Sequence, residues 1–120
     1  MVQFSSCDQH IVLNVRFFRT ELGNEPVREW LSALPREHRQ RVGIEIKSVQ
    51  LGWPLGMPLV RKMEPGLWEI RVDLGESIAR VMFTLVEGCL LLLHGFIKKS
   101  RKTPTADLAM ARQRKARLRR

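Results

Sequence analysis

Between Leu67 and Lys99 the apolar residues come in three runs: Leu-Trp-Glu-Ile-Arg-Val from 67, Ala-Arg-Val-Met-Phe-Thr-Leu-Val from 79, and Cys-Leu-Leu-Leu-Leu-His-Gly-Phe-Ile-Lys-Lys from 89. β-Branched and aromatic residues dominate them, and they are separated by Asp73-Leu74-Gly75-Glu76-Ser77 and by Glu87-Gly88, a two-residue Xaa-Gly loop that closes a tight hairpin. The pattern predicts an antiparallel meander of three strands. Alternation puts Trp68, Ile70 and Val72 on one face of the first strand and Val81, Phe83 and Leu85 on one face of the second. Arg71 and Arg80 fall on the opposite face with Glu69 and Thr84. If Asp73 pairs with Ile78, Arg71 lies directly across from Arg80. Like charges so placed destabilise a ladder, which points to an anion between them, although an open antiparallel face is also normally polar and solvated.

The rest of the chain fills in around this meander. Residues 1–10 show no clear period and stay unassigned, and Ile11 to Phe18 reads as a further strand of the same sheet. After Gly23, Asn24 is placed to cap a helix with Glu25 and Pro26 in its first turn and Val27, Trp30, Leu31 and Leu34 along one side. Pro35 opens a second helix that ends at Gly52, with Val42, Ile46 and Val49 as its apolar stripe, so the two form an N-terminal helical hairpin. His38, among Arg36, Arg39 and Arg41, reads as a surface residue. A loop through Trp53 and Met57 leads to a short strand from Leu59 to Lys62. Thr103 caps, and Pro104 starts, a C-terminal helix over 104–120 whose apolar side, Leu108, Ala111 and Leu118, is thin. The expected fold is α+β, mainly antiparallel, as a single domain over 11–120.

Charge sharpens this picture only when it is located. Of 21 Lys and Arg and 12 Asp and Glu, the segment from Lys98 to Arg120 holds ten of the basic residues and only Asp107 of the acidic ones. So dense a basic block points to a polyanionic partner, with a solubilising tail as the plainer reading. Cys7 and Cys89 make no disulfide framework, and no Cys, His or carboxylate cluster has ligand spacing, so no metal or other cofactor is expected. No apolar run approaches the ~18 residues a membrane helix needs, and no signal-peptide pattern opens the chain. The expected location is cytoplasmic, with no membrane partner.

Leu-Trp-Glu-Ile-Arg-Val, Ala-Arg-Val-Met-Phe and above all Leu-His-Gly-Phe-Ile-Lys-Lys-Ser-Arg-Lys-Thr-Pro resemble the phage-derived Gp49-like branch of the RelE/HigB toxins, a RelE/ParE-like fold. The resemblance runs from about Val15 onward and includes Glu-Pro-Val-Arg-Glu-Trp-Leu and Gly-Trp-Pro-Leu-Gly-Met-Pro. It implies the toxin of a type II toxin-antitoxin pair, usually an endoribonuclease that cuts mRNA on the ribosome and is neutralised by a helix-turn-helix antitoxin. The positions matching the working residues of the superfamily are Arg71, Arg80 and Lys99, with Lys98 and Lys102 beside them. The tyrosine that some relatives use has no counterpart in a chain without tyrosine, and Glu69 stands where some carry a strand lysine.

Metal-free RNA cleavage needs a base for the 2′-hydroxyl, charge stabilisation at phosphorus, and an acid for the departing 5′-oxygen. Arg71 and Arg80 suit the second task, since a guanidinium fork matches phosphate and stays charged. His94, Glu69 and a lysine of the Lys98-Lys99 pair are the candidates for the others. Register separates them. With Val86 paired to Cys89, Leu91, Leu93, Gly95, Ile97 and Lys99 share the face of Arg80 while His94 and Lys98 point away, and a slip of one residue exchanges the sets. The two-residue loop favours Lys99, and the four leucines before His94 favour a structural histidine. Lys98, Arg101, Lys102, Arg112, Arg114 and Lys115 are the expected RNA contacts. Two other functions fit the residues: a toxin of the same fold that inhibits DNA gyrase by binding, and a non-toxic basic nucleic-acid-binding module.

Overall fold

A computed structural model describes residues 13–98 and 103–118. The unassigned segment 1–10, the first two residues of the expected strand, Lys99, Arg101 and Lys102 lie outside the described residues. The elements run β1 (Asn14–Phe17), α1 (Pro26–Ala33), α2 (Arg36–Gly52), β2 (Val60–Glu64), β3 (Leu67–Asp73), β4 (Ile78–Val86), β5 (Cys89–Lys98) and α3 (Thr105–Arg117). The architecture is α+β.

The five strands form one sheet in the order β1-β5-β4-β3-β2. β2 through β5 pair antiparallel, whereas β1 joins β5 in parallel, so the sheet is mixed. Glu87 and Gly88 both have positive φ, 48° and 76°, the conformation a two-residue turn requires to follow the strand twist. Asp73 pairs with Ile78, and Arg71 is the direct partner of Arg80.

One face of the sheet carries Ile70, Val72, Val81, Phe83, Leu90 and Leu92, packed under Val27 and Leu34 of the α1 segment and Val42, Ile46 and Val49 of α2. Each such side chain contributes on the order of 1.5–3 kcal/mol by leaving water. Trp53 meets Trp68 and Phe83 edge-on at 5.1 and 5.5 Å and closes this core from the loop after α2. The two helices lean on different strands, α1 on β5 and α2 on β3, and touch each other little, so the expected hairpin is better described as two helices laid side by side on the sheet. Glu25, not Asn24, occupies the cap position of α1, and its carboxylate takes Arg28 at 2.6 Å and Arg19 at 3.5 Å.

The opposite face is not open. α3 lies across it, and Leu108 and Ala111 close a second core with Phe18, Leu67, Met82, Leu91, Leu93 and Phe96. This covers the face that the strand pattern left open either to an anion or to solvent: Glu69 and Arg80 are both fully buried. The thin apolar side of α3 suffices because its basic residues are spent on the sheet. Arg114 donates to the Leu93 carbonyl at 2.7 Å, Lys115 to the Pro65 carbonyl at 3.0 Å, and Arg112 pairs with Glu64 at 2.7 Å.

Candidate functional site

β4 and β5 stay in register from Val86–Cys89 to Phe83–Leu92, and then Met82 pairs with His94, leaving Leu93 as an extra residue. This bulge exchanges the two sides of β5. His94, Phe96 and Lys98 are the partners of Met82, Arg80 and Ile78 and share their face, while Gly95 and Ile97 turn to the α1 side. The expected placement of Gly95 and Ile97 beside Arg80 is therefore reversed, and with it the face argument for Lys99, which lies outside the described residues. Gly95 is required where it stands. A Cβ there would meet Trp30 Cζ3 at 2.6 Å.

On the α3 side, buried polar groups form a short chain. The Arg80 Nη1 group donates to Thr103 Oγ1 at 3.1 Å, and the Thr103 hydroxyl donates to Glu69 Oε2 at 2.8 Å. Arg80 and Glu69 are themselves 3.9 Å apart. Thr103 therefore does not cap α3, whose cap position is Pro104; its hydroxyl bridges two strands instead. Burial pulls the Arg80 guanidinium below its ordinary value, the Glu69 carboxylate draws it back up, and Arg71 and Arg61 push it down again. Arginine begins so high that it stays charged. Among the described residues, Arg71 Nε and Glu69 Oε1 are buried without a hydrogen-bond partner.

His94 is joined to α3. Its Nε2 is 2.6 Å from Asp107 Oδ1, its ring stacks on Phe96, and Arg114 Nη1 stands 3.5 Å from Nδ1. Burial, followed by the nearby Arg117, lowers Arg114 from the ordinary arginine value. Arg112, Arg114 and Lys115, expected as RNA contacts, thus each have a partner within the protein, and Arg114 acts as a strut under α3. Lys98 is exposed on the face of Arg80.

Three residues of this region were missed in the sequence. Thr103 and Asp107 reach the strands only through the packing of α3, and no spacing signals that. Arg61 is the direct partner of Glu69 on β2, and the alternation from Val60 inward was its only signal. No group of His, Cys, Asp and Glu among the described residues is arranged to hold a metal ion, and no described helix is long and apolar enough to cross a membrane.

On β2 to β5, Arg61, Arg71, Arg80 and Lys98 thus share the face crossed by α3; Arg61 and Lys98 are exposed, Arg71 is partly exposed, and Arg80 is fully buried. The family model described as "Phage derived protein Gp49-like" matches residues 29–116, from α1 through nearly all of α3. The chain belongs to that family, which is a family of RelE-like toxins. A search of curated proteins finds no match to the chain. Membership makes the protein, in general terms, the toxin of a toxin-antitoxin system with an antitoxin as partner, in a family associated with endoribonucleases.

Proposed function

We propose that the protein is a type II toxin that cuts mRNA on the ribosome, using the RNA's own 2′-hydroxyl as nucleophile and no metal, and that a helix-turn-helix antitoxin neutralises it. The observation that carries this reading is the direct pairing of Arg71 with Arg80. Two guanidinium groups opposed on neighbouring strands repel, and a phosphodiester held by the partly exposed Arg71 offsets that repulsion, with the fully buried Arg80 adding its charge from beneath.

In the proposed reaction the 2′-oxygen loses its proton to a base and attacks phosphorus. The bond to the 5′-oxygen breaks, and that oxygen takes a proton as it leaves. Arg71 donates to the equatorial oxygens as charge gathers there, and Arg80, buried and held in place by Thr103 and Glu69, adds its charge from behind. Glu69 is a poor base, since its carboxylate is buried and takes the Thr103 hydroxyl. His94 and Lys98, on the face of Arg80, are the better proton-transfer candidates, with Lys99 next in the chain. The site would act in the cytoplasm, where its substrate is translated.

The test uses translating ribosomes and an mRNA with a 2′-deoxy nucleotide immediately upstream of a mapped scissile bond. The expected result is loss of cleavage at that bond and a 2′,3′-cyclic phosphate or 3′-phosphate on unmodified upstream fragments. A 3′-hydroxyl product would overturn the mechanism. Chelation is a poor substitute, because ribosomes themselves require magnesium. Intact mRNA alongside inhibited DNA gyrase would point to the binding toxin, and absence of toxicity to a plain nucleic-acid-binding module.

A further inference from the structure

Arg61 stands across from Glu69, where an arginine ordinarily forms a cross-strand ion pair. Here it does not. The Glu69 carboxylate is turned under α3 and bonded to Thr103, and no ion pair to Arg61 occurs among the described residues. Arg61 is exposed, yet close enough for its charge to be felt at Arg80. The registers place it one pair step from the Arg71–Arg80 pair in one direction along the strands, and Lys98, across from Ile78, one step in the other.

The four cations therefore descend diagonally from β2 to β5. Ordinary sheet spacing makes that line roughly 14 Å across the strands and about 13 Å along them. A single bound phosphate needs no such reach, whereas a strand of RNA threading the site presents phosphates on both sides of the scissile one. We propose that Arg61 is a phosphate-binding residue for substrate RNA, holding the backbone on one side of the scissile phosphate as Lys98 holds it on the other, so that one RNA strand runs over the solvent-reaching cations Arg61, Arg71 and Lys98 while the buried Arg80 acts on it from beneath. The proposal rests on the RNA-cleaving reading above. It assigns Arg61 to substrate positioning, away from the reacting atoms.

The experiment is cleavage of mRNA on programmed ribosomes at limiting substrate, comparing the full chain with Arg61→Ala, Arg61→Lys and, as a charge control on α2, Arg36→Ala. Arg61→Ala is expected to raise the half-saturating mRNA concentration three- to tenfold with the maximal rate changed less than twofold, and to reduce the logarithmic salt slope by about 0.7. Arg61→Lys restores most of the loss, and Arg36→Ala shows none. Thermal melting confirms that the variants are folded. A wild-type chain that cleaves while Arg61→Ala keeps its half-saturation and slope overturns this proposal alone. A wild-type chain that cleaves no RNA overturns the parent reading and this one with it. A change equal to that of Arg36→Ala also overturns it, as general charge loss.

Discussion

His94 Nε2 lies 2.6 Å from Asp107 Oδ1, and this bond fastens the middle of β5 to the first turn of α3. Arg114 offers only donors to Nδ1, so in the neutral ring the proton sits on Nε2 and is given to Asp107. Both side chains remain about one-fifth exposed, at 18% and 24%, which limits the worth of the pair. Asp107→Ala is expected to lower stability by about 1–2 kcal/mol in urea denaturation. An unchanged midpoint would show that the bond is not made in solution.

Arg80 and Arg71 will not respond alike to truncation. Arg71→Ala removes a partly exposed side chain and should stay within about 1 kcal/mol of wild type while losing on the order of 100-fold in cleavage. Arg80→Ala leaves the buried Glu69 carboxylate without its counter-charge and should cost about 3–5 kcal/mol. Arg80→Met combined with Glu69→Leu should regain most of that stability and none of the activity. Recovery of cleavage in the double variant would remove Arg80 from the site.

Gly95→Ala sets a methyl group against the Trp30 ring, 2.6 Å from Cζ3 and 2.8 Å from Cδ2. The ring is wedged between α1 and the sheet, so the expected cost is about 3 kcal/mol. Trp30→Leu in the same chain should recover part of it. Additive losses in thermal melts would show that the two residues do not meet.

The hydrogen bond from Arg28, assisted by the charges of Arg28 and Arg19, holds the Glu25 carboxyl below its ordinary value. A depressed carboxyl stabilises the fold above the unfolded value of about 4.3, and the gain disappears as pH falls through the lower folded value. The stability difference between wild type and Glu25→Gln should therefore be constant near neutrality and shrink on acidification below about pH 5. A difference that held steady to pH 2 would contradict the ion pair.

The cross-strand pairing of Arg71 with Arg80 was legible because residues 68–72 alternate, Arg80 and Thr84 keep the same phase in β4, and the turn between the strands sets the register. The next step failed for a physical reason. Leu90 to Leu93 do not alternate, so nothing in that run marks the residue at which β5 bulges, and everything beyond it changes sides. The burial of Arg80 and Glu69 was hidden because α3 shows few apolar residues. Its grip comes from Arg112, Arg114 and Lys115 reaching strand and turn partners far away in the chain. Thr103 looked like a helix cap because Ser or Thr before proline usually is one, and only the packed structure shows its hydroxyl facing Arg80 and Glu69.

The parallel pairing of Asn14–Phe17 with Cys89–Leu92 also orders events in time. Its two halves leave the ribosome far apart, so the first strand to be synthesised waits through α1, α2 and the rest of the sheet before its neighbour exists. Contacts of such long sequence separation close slowly. Thr103 emerges later still, and with it the bridge that holds Arg80. A nascent chain thus has its arginine pair before it has the bridge, and the proposed phosphate site is completed only after the whole meander and Thr103 have emerged.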